Sequence, residues 1–330
     1  MNRRTFTSRL AAGLALPLPL SPAPALRRPD PPARLRPGDT VGLITPASFL
    51  DDEGLERAVT QIEGLGLRVK LGRYVRSENG FLAGTDAERL GDLHAMFGDR
   101  DVQAVWCARG GYGSARLLPD LNYNLIRRNP KILVGYSDIT ALLNAITRET
   151  GIITYHGPVG SSEFTAYTEK HLRMALWEGE EWSTIHPPEE GPEPYIIRPG
   201  RASGELWGGN LSLLVASVGT DFTPPIDDSL LFIEEVGEKP YRIDRMLTQL
   251  RQAWKLDKVA GIVLGTFKDC EADPDDRSLT LRETLTERLG DLDVPVAYGL
   301  PIGHIKDMCT LPVGGRATFD AFDFTITPGE

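Results

Sequence analysis

The chain has 330 residues and a formal net charge of −10, with 41% hydrophobic and 25% charged residues. This composition excludes a disordered or fibrous protein, and the length is comfortable for two domains. The acidic balance argues against a general electrostatic grip on nucleic acid or anionic lipid and suits small cationic or zwitterionic substrates better.

Residues 1–25 read as an export signal of the twin-arginine kind. Arg3-Arg4 precede Thr5-Phe6, an apolar stretch runs from Leu10 to Leu20, and Ala23-Pro24-Ala25 has the small-x-small form of a cleavage site. Prolines at 17, 19 and 22 weaken the apolar helix and leave a Pro-rich tail as the alternative. The apolar stretch is too short for a permanent anchor, and no later one is long enough to span a bilayer. The expectation is a periplasmic protein with no stable membrane anchor, a cytoplasmic location being the alternative.

A Pro/Arg-rich lead fills 26–37, and Thr40 to Thr45 reads as a buried strand ending in a turn. Apolar residues at helical spacing follow at Leu55, Val59 and Ile62, then a short strand at 67–71. Thr85 and Glu88 form a capping box, opening a helix that turns Leu90, Leu93 and Met96 inward. Strand 102–107, helix 114–118, strand 131–135, helix 139–148 and strand 152–155 continue the alternation. Alternating strands and helices predict an α/β N-terminal domain over 38–185 with a mostly parallel sheet covered on both faces. Residues 186–200 hold five prolines and little periodicity, which predicts a linker. A second domain, 201–330, mixes strands at 230–233, 261–266, 294–298 and 317–322 with helices, one of them packing through Ile243, Met246, Leu247, Leu250 and Trp254. Cys107, Cys270 and Cys309 lack CxxC spacing, so neither a metal site nor a dithiol motif is indicated.

The sharpest chemical signal is Lys131-Ile-Leu-Val-Gly-Tyr-Ser137-Asp138-Ile139, an apolar strand running straight into a helix. A serine at that corner stands at the carboxyl edge of the sheet, beside amides that suit an oxyanion. This is nucleophile-elbow logic with Ile139 where the second glycine of G-x-S-x-G would stand. Ser137 or Asp138 as a plain helix cap is the competing reading. The second signal is Arg109-Gly110-Gly111-Tyr112-Gly113, a glycine-rich loop that could offer another oxyanion donor, grip a carboxylate through Arg109, or simply turn tightly. It completes neither nucleotide-binding fingerprint. A nucleophilic serine needs a base and an orienting acid. Of the five histidines, His156 and His304 stand at strand ends, and Glu234 or Glu235 ends the buried run 230–233.

Taken together these segments resemble the serine LD-carboxypeptidase family, whose relatives include enzymes that cleave a peptide–nucleotide antibiotic. The resemblance rests on Arg109-Gly-Gly-Tyr-Gly, Gly135-Tyr-Ser-Asp, Tyr155-His-Gly-Pro, Leu206-Trp-Gly-Gly-Asn-Leu, Phe232-Ile-Glu-Glu with Tyr241-Arg-Ile-Asp-Arg, and Gly303-His304, in that order across residues 38 to 320. It implies an α/β N-terminal domain and a β-rich C-terminal domain with the site between them. It also implies Ser137 as nucleophile, His304 as general base, Glu234 as triad acid, and the Gly111 and Asp138 amides as oxyanion hole. Arg109 and Tyr112 are the substrate-binding candidates. The implied reaction removes terminal D-alanine from a murein tetrapeptide, with no metal or organic cofactor. A homodimer is an expectation from the resemblance alone. A non-catalytic periplasmic peptide-binding protein is the rival from another class.

Overall fold

The computed structural model describes residues 30–329, so the expected export signal lies outside the described residues. Two mixed α/β layers stack against each other. The first half contributes β1 (Thr40–Ile44), α1 (Asp52–Gly64), β2 (Arg68–Leu71), α2 (Asp86–Gly98), β3 (Ala104–Cys107), α3 (Tyr123–Arg128), β4 (Ile132–Gly135), α4 (Thr140–Thr150), β5 (Thr154–His156) and α5 (Ala166–Leu176). The second contributes β6 (Tyr195–Arg198), β7 (Arg201–Asn210), α6 (Leu211–Ser217), β8 (Leu230–Val236), α7 (Pro240–Trp254), β9 (Gly261–Lys268), α8 (Leu281–Leu289), β10 (Val296–Tyr298), β11 (Leu311–Val313), β12 (Arg316–Asp320) and β13 (Thr325–Pro328).

The first sheet has the order β11-β5-β4-β3-β1-β2. Strands β1 to β5 run parallel, as the alternation predicts, and β11 closes the edge antiparallel to β5. That edge strand comes from the far end of the chain, so the second half reaches back into the first sheet. The second sheet has the order β13-β12-β7-β8-β9-β10-β6, parallel at its centre and antiparallel at both margins. Its β6 lies inside the proline-rich stretch expected as linker; Tyr195 to Arg198 escape the prolines for long enough to pair with β10.

Both faces of the first sheet are covered. Leu55, Ala58 and Ile62 of α1 and Leu172 of α5 pack on Val41, Leu43 and Trp106. On the other face, Leu142, Leu143 and Ile146 of α4 join a core that also contains Leu206, Trp207 and Phe232 of the second sheet. The two halves therefore share apolar burial, the main stabilising term in folding. Polar contacts fix how they sit: the Asn210 amide donates to Thr140 Oγ1 at 3.0 Å, and Asn144 Nδ2 donates to the Gly208 carbonyl at 2.8 Å. Local chemistry agrees with the fold at both ends of scale. The Thr85–Glu88 capping box forms as read, and the apolar face of α7 is buried throughout. The segment expected as helix 114–118 is a 3-10 turn over Ser114–Asp120 that contains Pro119, whose ring and missing amide disfavour an α-helix.

Candidate active site

In the first sheet the order of strands reverses between β1 and β3, and open α/β sheets hold ligands outside the carboxyl ends at such a point. A cleft of about 440 Å³ lies there, lined among others by Leu50 and Asp51 after β1, Arg109 and Gly111 after β3, Ser137 after β4, and His304 from the second half. Each strand end delivers one wall.

Ser137 occupies the sharp corner between β4 and α4 with φ 62°, a left-handed conformation that costs a non-glycine residue of the order of 1 kcal/mol. The turn is tight enough that a Cβ on Gly135 would come within 2.7 Å of the Ile139 side chain. His304 Nε2 lies 3.0 Å from Ser137 Oγ, and His304 Nδ1 lies 2.8 Å from Glu234 Oε2. The Glu234 side chain is wholly buried and that of His304 only 18% exposed. With the carboxylate as acceptor, Nδ1 carries the proton and Nε2 is left to accept from the serine hydroxyl. The edge of the Tyr136 ring stands against the imidazole, the centroids 4.9 Å apart.

Glu235 points to the opposite face of β8. Its carboxylate accepts from Asn210 Nδ2, the Ser212 amide and hydroxyl, and the Val236 amide, which ties α6 to the sheet. Burial pushes its carboxyl pKa up in spite of those donors. The geometry thus selects Glu234 from the pair. His156, the other strand-end histidine, makes no hydrogen bond to Ser137. It is fully buried between the rings of Tyr136 and Phe232, and burial drives its pKa down to about 3, so it is neutral.

The glycine-rich loop is fastened to the serine corner through Asp138. The buried Asp138 carboxylate accepts from the Gly113 amide at 3.2 Å and the Ser114 amide at 2.8 Å, while Ser114 Oγ donates to the Asp138 carbonyl at 2.5 Å. Neither Ser137 nor Asp138 caps α4, which starts without a side-chain cap; Asp138 instead accepts from the amides that open the 3-10 turn of the glycine-rich loop. Gly111 has φ +111°, and a Cβ there would meet Ser48 Oγ at 2.4 Å. Its amide has no acceptor among the described residues, and the Asp138 amide opens the 3-10 turn Ser137–Ile139, where amides lack intrahelical partners. Arg109 lines the cleft and donates from Nη1 to the Phe49 carbonyl at 2.9 Å. Tyr112 stands beside the cleft, 56% exposed, its ring edge-on to Phe81 at 5.4 Å.

Comparison with known proteins identifies the family. The LD-carboxypeptidase N-terminal domain matches residues 41–157 and the LD-carboxypeptidase C-terminal domain residues 203–319. The chain belongs to the LD-carboxypeptidase family. It is 42% identical over 296 residues to the probable murein peptide carboxypeptidase of Bacillus subtilis, covering 89% of this chain and 92% of that one. It is 35% identical over 288 residues to the murein tetrapeptide carboxypeptidase of Pseudomonas aeruginosa, covering 85% and 92%. Among solved structures, microcin C7 self-immunity protein MccF in complex with aspartyl sulfamoyl adenosine superposes with a TM-score of 0.83 at 27% identity, covering 91% and 98%. The protein is a hydrolase of the peptidase class.

Two features of this LD-carboxypeptidase family site escape sequence reading. The β1–α1 loop builds a whole wall, from Phe49 to Asp51 together with Arg57. The only signal was the position of Thr45 at the carboxyl end of a central strand. Tyr136, which braces His304, looks in sequence like any apolar residue ending a strand. Among the described residues no group of three or more His, Cys, Asp or Glu is placed to hold a metal ion, and the three cysteines are buried and unpaired.

Proposed function

We propose that the protein is a serine LD-carboxypeptidase that removes terminal D-alanine from murein tetrapeptides, using Ser137, His304 and Glu234 as a triad. The observation that carries this reading is the unbroken chain of contacts from Glu234 Oε2 through both nitrogens of His304 to Ser137 Oγ, at 2.8 and 3.0 Å. His304 Nε2 takes the hydroxyl proton as Oγ attacks the carbonyl carbon of the L-centre, lysine or meso-diaminopimelate. The developing oxyanion is held by the amides of Gly111 and Asp138. The amide bond breaks, His304 returns the proton to the leaving amine of D-alanine, and an acyl-Ser137 ester remains. Water, deprotonated by His304, releases the tripeptide. Glu234 holds the imidazole tautomer and stabilises the imidazolium. Arg109 faces the cleft as the guanidinium suited to the substrate's terminal carboxylate, with Tyr112 at the rim.

The Arg3-Arg4 motif supports a periplasmic setting for this chemistry, against the wall itself or its released peptides. A second reading shares the mechanism: the likeness to MccF, solved with aspartyl sulfamoyl adenosine, supports an aminoacyl amide of a nucleotide as substrate. The two are separated by incubating the purified protein with a murein tetrapeptide ending in D-alanine, its all-L counterpart, and an aminoacyl sulfamoyl nucleoside, and following products by mass spectrometry. Release of D-alanine from the first alone is the expected result. Cleavage of the nucleoside alone transfers the mechanism to the second reading, and binding without turnover of any of the three contradicts both.

A further inference from the structure

The acid of the triad is left half-satisfied. Glu234 is wholly buried, and while Oε2 accepts from His304, Oε1 has no hydrogen-bond partner. A buried carboxylate oxygen without a donor is costly, and native structures supply one directly or through an ordered water. The neighbouring strand carries the matching orphan. Thr266 of β9 is nine-tenths buried, and its hydroxyl likewise has no partner.

The strand pairing brings these two together through an irregularity. Ile233 pairs with Leu264, but the next pair is Glu235 with Phe267, so Glu234 alone on β8 faces both Gly265 and Thr266 on β9. This is a β-bulge, a device that re-aims side chains and is common beside active sites. Leu264 and Phe267 both enter the core beneath α7, as does Ile233. The two bulge residues lie between them, and a Cβ on Gly265 would meet the Ile302 carbonyl oxygen at 2.4 Å, so the bulge packs against the loop that leads to His304. The same bulge holds the histidine loop: the Thr266 amide donates to the Ile302 carbonyl at 2.9 Å. A Cβ built on Gly303 would lie 2.8 Å from Glu234 Oε2 and 3.1 Å from the Thr266 carbonyl oxygen, so both residues border the backbone that carries His304.

We infer that Thr266 is a positioning residue whose hydroxyl donates to Glu234 Oε1, by rotation about χ1 or through one ordered water, and so compensates part of the carboxylate's charge and keeps it aimed at His304. The inference rests on the triad reading above. The other polar groups around Glu234 leave this role open. Asn210, opposite it on β7, spends its amide on Glu235. Tyr136 reaches in from β4 as a neutral phenol whose pKa burial raises, and His156 from β5 is neutral and packed between rings. Glu235 is on the far face of its strand. Removing a donor from Glu234 leaves its negative charge less compensated, which raises the pH at which the adjacent imidazolium gives up its proton.

The test compares Thr266→Val, which keeps the shape and deletes the donor, with Thr266→Ser, which keeps the donor. The valine variant is expected to lose about tenfold in kcat with KM unchanged, the scale of one hydrogen bond to a charged group. Its acid limb should move to higher pH, and the His304 imidazole resonance, followed by NMR, should titrate at higher pH as well. The serine variant should resemble wild type in all three. An unshifted His304 titration in folded Thr266→Val overturns the inference, and so does a serine variant impaired as badly as the valine one, because volume would then be what matters. The NMR titration needs no substrate, so failure of the carboxypeptidase reading would be seen separately, as absence of D-alanine release by the wild type.

Discussion

A single side chain shows how far burial alone decides chemistry in this protein. His156 and His304 both stand near Ser137, but only His304 has a carboxylate at one nitrogen and the serine at the other. His156 has rings on two sides, and burial lowers its pKa from 6.5 to about 3. The unfolded chain therefore binds a proton at this residue that the folded chain refuses. Its contribution to stability is present above pH 6.5 and is lost as pH falls from there toward 3, with a slope of at most about 1.4 kcal/mol per pH unit. His156→Phe should fill the space, keep the ring contact with Tyr136, and flatten the decline in urea midpoint between pH 7.5 and 5. A residual slope belongs to His94 and His171, which burial also depresses. An undiminished decline in the variant would mean that His156 titrates normally in the fold.

At the scale of elements, the site is made by two loops that hold each other. The β4–α4 corner presents Ser137, and the glycine-rich loop after β3 presents the Gly111 amide, and Asp138 is the tie between them. Asp138→Ala would leave the Gly113 and Ser114 amides with no acceptor, a loss of about 1 to 3 kcal/mol in chemical denaturation. Because the proposed oxyanion donors, the Gly111 and Asp138 amides, would no longer be held in register, kcat for D-alanine release should fall more than tenfold, with KM little changed. Asp138→Asn, which keeps one carbonyl oxygen for the Ser114 amide, should lie between the alanine variant and wild type. Equal kcat in all three proteins would contradict the tie.

The same elements mark where sequence reading succeeds and where it stops. The parallel sheet, the capping box at Thr85 and the buried face of α7 are local patterns, so periodicity exposes them. The serine corner is legible because a strand, a turn and a helix adjoin within one segment. Choosing Glu234 over Glu235 requires knowing which face of β8 meets the first half, and residues-only reading leaves that open until the family resemblance enters. The bulge at Gly265–Thr266, the wall after β1 and the return of β11 to the first sheet are long-range pairings. They depend on register between distant strands, for which a single sequence carries no marker.

Considered as a whole, the molecule divides the residues of the proposed mechanism between its halves: Ser137 and the Gly111 and Asp138 amides come from the first half, Glu234 and His304 from the second. The shared core of Leu142, Trp207 and Phe232 and the bonds that join Thr140 and Asn144 to the end of β7 hold that division in place. The central claim is that residues from both halves act as one catalytic unit. It is tested most directly by the rate of D-alanine release from a murein tetrapeptide by Ser137→Ala, His304→Ala and the double variant. Groups that act together lose their effect together, so each single variant should fall by about 10⁴-fold or more and the double variant no further. Single variants that retain substantial activity, or losses that multiply in the double variant, would contradict it.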